Sequence, residues 1–202
     1  DLLYGQNGDD ILYGGIGHDF LYGNANNDTL NGEDGIDRIE GGTGNDTLNG
    51  GNDGDILYGE DGNDRLNGDA GDDALNGGNN DDILVGGLGL DTLIGASGND
   101  TFGFTALDGN ADQIDDFSLL GAELDFINIT DVLTGFDRTT DNINDFVVMS
   151  YKNADRTDLF INSDGVGTDW NQAAIIRGSD FTGVTVEDML NAGRLIADST
   201  LL

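Results

Sequence analysis

Along the first half of the chain apolar residues recur at a single spacing. Leu3, Leu12, Leu21, Leu30, Ile39, Leu48, Leu57, Leu66, Leu75, Leu84, Leu93 and Phe102 stand nine residues apart without a slip. Two positions before each stands an aspartate: Asp1, Asp10, Asp19, Asp28, Asp37, Asp46, Asp55, Asp64, Asp73, Asp82, Asp91 and Asp100. Five positions before each aspartate from Asp10 onward stands a glycine, so eleven complete units run from Gly5 to Gly103. Counting that glycine as position one and the aspartate as position six, each unit predicts a sharp six-residue turn followed by a three-residue strand whose middle side chain points inward. Successive units then fall on opposite sides. A full coil takes about eighteen residues, and same-side units stack about 4.8 Å apart. The pattern predicts an all-β protein: a right-handed parallel β-roll over 1–103, a β-rich cap over 104–180 and a short terminal helix within 181–202.

At position four, glycine gives way only to Asn26, Asp53 and Asn80. These are the residue types that best tolerate left-handed backbone, as a tight turn there requires.

Stacking the units gathers the aspartates into two columns. One holds Asp10, Asp28, Asp46, Asp64, Asp82 and Asp100. The other starts at Asp1 and holds Asp19, Asp37, Asp55, Asp73 and Asp91. At roughly 5 Å and an effective dielectric of about 20, neighbouring carboxylates repel by about 3 kcal/mol, so such columns demand a cation. The charge agrees: 40 acidic against seven basic residues give a net charge of -33, and residues 1–103 alone hold 22 acids and two bases. That balance excludes nucleic-acid binding, which needs Lys and Arg against phosphate. Carboxylate and carbonyl oxygens, with one histidine and no cysteine, select Ca²⁺ over zinc or copper, and irregular carbonyl cages disfavour Mg²⁺. Folding is expected to depend on the metal.

The unit Gly41-Gly42-Thr43-Gly44-Asn45-Asp46-Thr47-Leu48-Asn49 resembles the GGxGxDxUx repeat of the RTX (repeats-in-toxin) family. The resemblance implies that each Ca²⁺ sits between same-side turns. It is held by the position-two and position-four carbonyls and the aspartate of one turn, and by the position-one and position-three carbonyls and the aspartate of the next. One site would thus use Gly15, Gly17 and Asp19 with Gly32, Asp34 and Asp37. Carried along the columns, position one contributes Gly5, Gly14, Gly23, Gly32, Gly41, Gly50, Gly59, Gly68, Gly77, Gly86 and Gly95. Position two contributes Gly15, Asn24, Glu33, Gly42, Gly51, Glu60, Asp69 and Gly78. Position three contributes Ala25, Asp34, Thr43, Asn52, Asp61, Ala70, Asn79, Leu88 and Ser97, and position four Gly8, Gly17, Asn26, Gly35, Gly44, Asp53, Gly62, Gly71 and Asn80. Counting the spaces between turns gives about nine ions or more, whose charge would offset that of the repeats. Non-glycine residues at position two, Gln6, Asn24, Glu33, Glu60, Asp69 and Ala96, depart from the tightest family pattern, so affinity is expected to vary between sites.

After Gly103 the period stops and apolar content rises. Strands are expected at 113–117, 124–129, 146–151, 159–162 and 173–177, joined by Asn, Asp and Gly turns. They would cap the open core of the roll. The order Asp100-Thr101-Phe102, then Asp112-Gln113-Ile114-Asp115-Asp116-Phe117, then a Leu/Ile-rich stretch and a terminal helix resembles the type I secretion C-terminal target domain at the ends of large RTX adhesins. Gly121-Ala122-Glu123-Leu124-Asp125 departs from that family's usual Gly-Asp before Leu-Asp. Thr185 is the expected N-cap of a short amphipathic helix bearing Val186, Met189 and Leu190 on one face. The ending Asp198-Ser199-Thr200-Leu201-Leu202 resembles an uncleaved type I secretion terminus.

No apolar run is long enough to span a membrane and no leader-like segment opens the chain. His18 stands at a variable turn position and is expected at the surface, and no catalytic arrangement is present. The carboxylate pairs Asp72/Asp73 and Asp81/Asp82 each read as one ligand and one solvated neighbour. Tyr4, Tyr13, Tyr22 and Tyr58 share position nine and read as exposed strand aromatics. Asp1 falls inside a repeat, so the chain is expected to belong to a longer protein. Three functions remain open. The first is an export and folding module, monomeric and secreted or held at the cell surface, passed through the ABC transporter, membrane fusion protein and outer-membrane channel of a Gram-negative type I pathway. The others are a surface- or glycan-binding module and the non-catalytic end of an exoenzyme or toxin.

Overall fold

The structure is a computed structural model, and it describes residues 1–105, 108, 110–118, 124–129, 147–153, 156–161, 171–177, 184–191 and 195–196. Eleven six-residue strands follow one another: β1 (Leu2–Asn7), β2 (Ile11–Ile16), β3 (Phe20–Ala25), β4 (Thr29–Asp34), β5 (Arg38–Thr43), β6 (Thr47–Asn52), β7 (Ile56–Asp61), β8 (Arg65–Ala70), β9 (Ala74–Asn79), β10 (Ile83–Leu88) and β11 (Thr92–Ser97). They continue into β12 (Thr101–Gly103), β13 (Asp112–Asp115), β14 (Phe126–Asn128), β15 (Val147–Asn153), β16 (Arg156–Ile161), β17 (Asn171–Ile176), the helix α1 (Val186–Asn191) and β18 (Leu195–Ile196).

Alternate strands separate into two sheets. One runs β1-β3-β5-β7-β9-β11-β13-β17-β16-β15 and the other β18-β14-β12-β10-β8-β6-β4-β2. Within the repeats all pairing is parallel with a constant shift of eighteen residues, Leu30 facing Leu48 and Leu48 facing Leu66. This is the β-roll that the nine-residue period predicts.

The strands are longer than the three residues expected. Each continues through positions two and three of the following turn, because stacked identical turns offer one another the same backbone groups that strands do. Pairing skips only the corner at position one: Asn49 faces Asn67 and Gly51 faces Asp69, on either side of Gly50.

Position eight of every unit from Leu12 onward points into a file of buried side chains between the sheets. That file passes without a break from Phe102 to Phe117, whose rings lie 5.9 Å apart, and on to Ile114, Ile127, Leu159, Ile176, Val186 and Met189. The described residues after 103 therefore continue the roll's own core. Of the predicted strands, 113–117 and 124–129 appear as the shorter β13 and β14, while β15, β16 and β17 extend beyond the predicted limits to Asn153, back to Arg156 and back to Asn171. Phe146 and Asn162 lie outside the described residues.

The predicted helix forms over Val186–Asn191. Thr185 Oγ1 accepts the Asp188 N–H at 3.0 Å and the Asp188 carboxylate accepts the Thr185 N–H at 2.9 Å, a reciprocal capping box. Leu195–Ile196 is a strand beside β14. Residues 198–202, with the proposed secretion terminus, and Gly121, Ala122 and Glu123 lie outside the described residues.

Candidate metal centre

The two aspartate columns form as the period requires, and each carboxylate from Asp28 to Asp91 splits its oxygens between two environments. Oδ1 reaches back one coil to accept the N–H of the aspartate eighteen residues earlier, as in Asp46 N–H to Asp64 at 2.7 Å and Asp55 N–H to Asp73 at 2.7 Å. Oδ2 is buried and meets no hydrogen-bond donor in ten successive members, from Asp10 to Asp91. A buried carboxylate oxygen without a donor or a cation is costly. The regularity of the set means that one kind of partner must serve all ten.

Burial pushes the carboxyls of Asp46 and Asp64 up to about 6, those of Asp55, Asp73 and Asp100 up to about 7 and that of Asp82 up to about 8. The accepted N–H opposes the rise and the neighbouring column carboxylates add to it. No side-chain cation reaches these oxygens among the described residues: Arg38 pairs with Glu40 and Arg177 with Asp115, while the Asp1 amino group meets Asp19 at the open end.

The glycines surround this row of oxygens for two different reasons. At position one the reason is space. A Cβ on Gly14 would lie 2.7 Å from Asp19 Oδ2 and 2.8 Å from the Gly32 carbonyl oxygen, and one on Gly41 would lie 2.5 Å from Asp46 Oδ2 and 3.0 Å from the Gly59 oxygen. A position-one carbonyl of the next coil thus comes close to the donorless carboxylate oxygen. At positions two and four conformation adds to space, since both lie at positive φ in every unit and a Cβ on Gly42 or Gly44 would also run into the Asn24 or Asn26 carbonyl of the preceding coil. Asn26, Asp53 and Asn80 at position four have φ of 80°, 73° and 82°.

Sequence reasoning did not anticipate that position two is equally left-handed. Gln6, Asn24, Glu33, Glu60, Asp69 and Ala96 all have φ between 70° and 80°, which costs a residue with a Cβ on the order of 1 kcal/mol each. That geometry turns the position-two and position-four carbonyls toward the following coil: Asn24 O and Asn26 O abut Gly42 and Gly44, and Glu33 O abuts Gly51. Position-three carbonyls accept the position-four N–H of the preceding coil, as in Gly17 N–H to Asp34 O at 2.7 Å.

Between same-side turns, therefore, carbonyl oxygens from one turn face a carboxylate and carbonyls from the next. Among the described residues no three acidic, histidine or cysteine side chains cluster tightly enough to hold a metal by themselves. The donor set is carboxylate plus backbone carbonyl, all hard oxygen, and it fits Ca²⁺.

Position five carries a separate polar ladder that lies outside this set. Asn27 and Asn45 accept the N–H of the residue eighteen further on, and His18 Nδ1 accepts the Ile36 N–H at 2.9 Å in the same way. His18 is an exposed structural acceptor.

Two column members lie past the last regular repeat. Asp112 Oδ1 accepts the Asp91 N–H at 3.2 Å and Asp125 Oδ1 accepts the Asp100 N–H at 3.0 Å. The intervals of 21 and 25 residues hide them from a nine-residue search. The surviving signal is the same triplet, Asp112 two before Ile114 and Asp125 two before Ile127, both isoleucines buried.

The profile of the RTX calcium-binding nonapeptide repeat (4 copies) matches residues 1–21, 22–57, 31–66, 50–84 and 76–102. Among solved structures the chain is similar to the solution structure of the AlgE6R3 subunit from the Azotobacter vinelandii mannuronan C5-epimerase, at 21% identity and a TM-score of 0.41, over 99% of this chain and 81% of that one. No curated protein matches. The matched segments join into an unbroken stretch from Asp1 to Phe102, the same stretch that carries the aspartate columns and the left-handed turns, and the chain belongs to the RTX calcium-binding nonapeptide repeat family.

Proposed function

We propose that this chain is the calcium-binding and export module of a larger secreted protein, an adhesin, which stays unfolded where Ca²⁺ is scarce and folds around about nine Ca²⁺ once outside. The observation that carries the reading is the pair of columns with ten buried carboxylate oxygens that meet no donor. Each ion would take the position-two and position-four carbonyls and the aspartate of one turn, with the position-one and position-three carbonyls and the aspartate of the next. Bound Ca²⁺ supplies the positive charge that lets these carboxylates stay ionised inside the stack. The chain's own part is to hold the turns left-handed, to aim carbonyls between coils and to fix each Oδ1 on an N–H. Folding outside the cell would then keep the emerging chain from sliding back through a type I channel, and the C-terminal residues would present the signal. The chain itself carries no catalytic group in this reading.

Titration of the chelated chain with Ca²⁺, followed by far-UV circular dichroism and with Mg²⁺ as control, tests the folding step. A cooperative gain of β signal near sub-millimolar to millimolar Ca²⁺ and none with Mg²⁺ is expected. Full β signal in excess chelator overturns it. Secretion of a passenger fused to residues 104–202, compared with one fused to residues 1–103, tests the export step.

A second reading rests on one surface. Tyr4 and Tyr22 stack at 5.0 Å on the outer face of the ten-stranded sheet, next to exposed Leu2 and Phe20, and Arg38 lies 4.5 Å over Tyr58 on the same face. Tyr13 belongs to the other sheet. Such a strip suits a ring-bearing ligand such as a neutral glycan. Loss of glycan-array binding in Tyr22→Ala, with Ca²⁺-induced folding intact, would support that role.

A further inference from the structure

The two columns enter the cap differently. In the column of Asp10 to Asp100, the next member Asp125 is satisfied by the protein: Oδ1 accepts the Asp100 N–H at 3.0 Å and Oδ2 the Ser118 N–H at 2.7 Å. Nearby, the Asp116 carboxylate accepts the Gly95 and Ala96 N–H groups at 3.3 and 2.8 Å. In the column of Asp19 to Asp91, the next member is Asp112, whose Oδ1 accepts the Asp91 N–H at 3.2 Å, so the two carboxylates stand one coil apart, at a strand spacing of about 4.8 Å. Asp91 is 2% exposed and Asp112 7% exposed, and Asp91 Oδ2 has no hydrogen-bond partner. Two buried carboxylates at that separation repel unless a cation or a proton stands between them.

The surroundings favour a cation. Asp108 accepts the Gly89 N–H at 2.9 Å on the flank of the same turn, and Asp72 accepts the Leu90 N–H at 2.9 Å, so further negative charge borders the pair. Gly87 and Gly89 have φ of 115° and 129°, the left-handed geometry that turns position-two and position-four carbonyls toward the following coil elsewhere in the roll. One coil further on, Ala174 faces Asp112 across β13 and β17, so the column ends there.

We infer that Asp91 and Asp112, with carbonyl oxygens of the Gly86–Asp91 turn, hold one additional divalent, oxygen-seeking cation at the junction of roll and cap, whereas the Asp100–Asp125 junction is closed by N–H groups and holds none. The site rests on the calcium-binding reading of the repeats and extends it beyond them. It makes docking of the cap onto one of the two sheets metal-dependent: β13 sits on β11 through Gln113 N–H to Asp91 O at 2.8 Å, beside the carboxylate pair.

The test counts ions on the full chain, by equilibrium dialysis against Ca²⁺ with elemental analysis, and follows amide exchange in β13. Asp112→Asn is expected to bind one ion fewer than the parent chain, with faster exchange at Gln113 and Ile114 and the bulk β transition retained. Asp125→Asn is expected to bind the parent number. Should Asp112→Asn fail to fold, Asp108→Asn, an exposed substitution, is expected to need several-fold more Ca²⁺ for the last ion. Unchanged stoichiometry in Asp112→Asn, or unchanged affinity in Asp108→Asn, overturns the junction site. A parent chain that binds no Ca²⁺ overturns the calcium reading itself.

Discussion

The repeats and the segment that caps them use the same triplet, an aspartate two residues before an inward apolar side chain, and they satisfy that aspartate in opposite ways. In the roll the column carboxylates from Asp28 to Asp91 each take one N–H from the preceding coil and leave the second oxygen without a donor. In the cap Asp125 and Asp116 each take two N–H groups, and Asp188 is engaged by the N–H and hydroxyl of Thr185. A strict repeat has no freedom to vary the partner, because any donor it supplied would be supplied at every coil and would crowd the same corner. A non-repeating segment can place a different N–H at each carboxylate. The roll therefore leaves a uniform need for charge that the solution must meet, while the cap meets that of Asp125, Asp116 and Asp188 with its own donors.

Removing Ca²⁺ is the largest way to separate the two regions. With excess chelator, amide exchange in β3 to β11 is expected to lose protection as one unit, while the antiparallel strands β15, β16 and β17 keep a share of theirs. Exchange followed by mass spectrometry reads both regions at once. Equal loss throughout would mean that the continuous core, not the carboxylates, governs both.

Protons should act as weak substitutes for the metal along the roll, and burial raises Asp112 and Asp116 beyond it in the same direction. Burial raises the carboxyls of Asp46, Asp55, Asp64, Asp73, Asp82 and Asp100 from near 3.8 to values between about 6 and about 8. A raised acid binds more protons folded than unfolded, so it destabilises the metal-free fold at high pH. The penalty fades as pH falls through 8 to 6 and is gone below about 4. Chelated chain is thus expected to gain β signal on acidification across that window. With Ca²⁺ present the same protons compete, and the Ca²⁺ midpoint should rise as pH drops.

Position along a column should matter next. Asp64→Ala in the middle removes a buried carboxylate and the acceptor of the Asp46 N–H, and is expected to destabilise the Ca²⁺-bound roll by about 3 kcal/mol. Asp10→Ala at the half-exposed end should cost far less. The shift in Ca²⁺ midpoint between the two variants measures how strongly neighbouring coils depend on one another.

Most of the roll was legible in the sequence because one residue type recurs at one interval: aspartate positions, inward leucines and the eighteen-residue coil all follow from counting. What counting missed was conformational. Nothing in Gln6, Glu33, Glu60 or Ala96 announces positive φ, since the backbone there is imposed by stacking rather than by the residue's own preference. The continuation of the columns through Asp112 and Asp125 was hidden for another reason. The connecting segments lengthen by a few residues, which destroys the period and leaves the register of the strands intact. In the C-terminal half, strand existence was readable from β-branched and aromatic runs, while limits were not, because antiparallel neighbours extend a strand wherever they find a partner.

Glycine substitutions separate the two demands placed on a turn. Gly41→Ala would bring its Cβ 2.5 Å from Asp46 Oδ2 and so displace a column oxygen, costing about 1–3 kcal/mol and raising the Ca²⁺ midpoint. Gly15→Ala meets open space and faces only the left-handed backbone that six other side chains already accept at position two, so about 1 kcal/mol is expected. The reverse change, Glu60→Gly, should stabilise the roll slightly by relieving the same strain. Chemical denaturation at fixed Ca²⁺ ranks the three.

The smallest effect should fall entirely on the cap side of the comparison. Thr185→Ala removes the hydroxyl that accepts the Asp188 N–H and donates to the Asp188 carboxylate at 2.6 Å, the donated bond being the one that, with the Thr185 N–H, holds this carboxyl below its usual range. Amide exchange within Val186–Asn191 is expected to speed by about fivefold, as for loss of a helix N-cap, while the Ca²⁺ midpoint of the roll stays where it was. The separation follows from how each carboxylate is satisfied: a hydroxyl one turn away serves Asp188 locally, so its loss frays one helix end, whereas the columns share a single kind of partner along their whole length. A shift in the Ca²⁺ midpoint on Thr185→Ala would show that Val186 and Met189, buried against the end of the common core, transmit local loosening back into the coils.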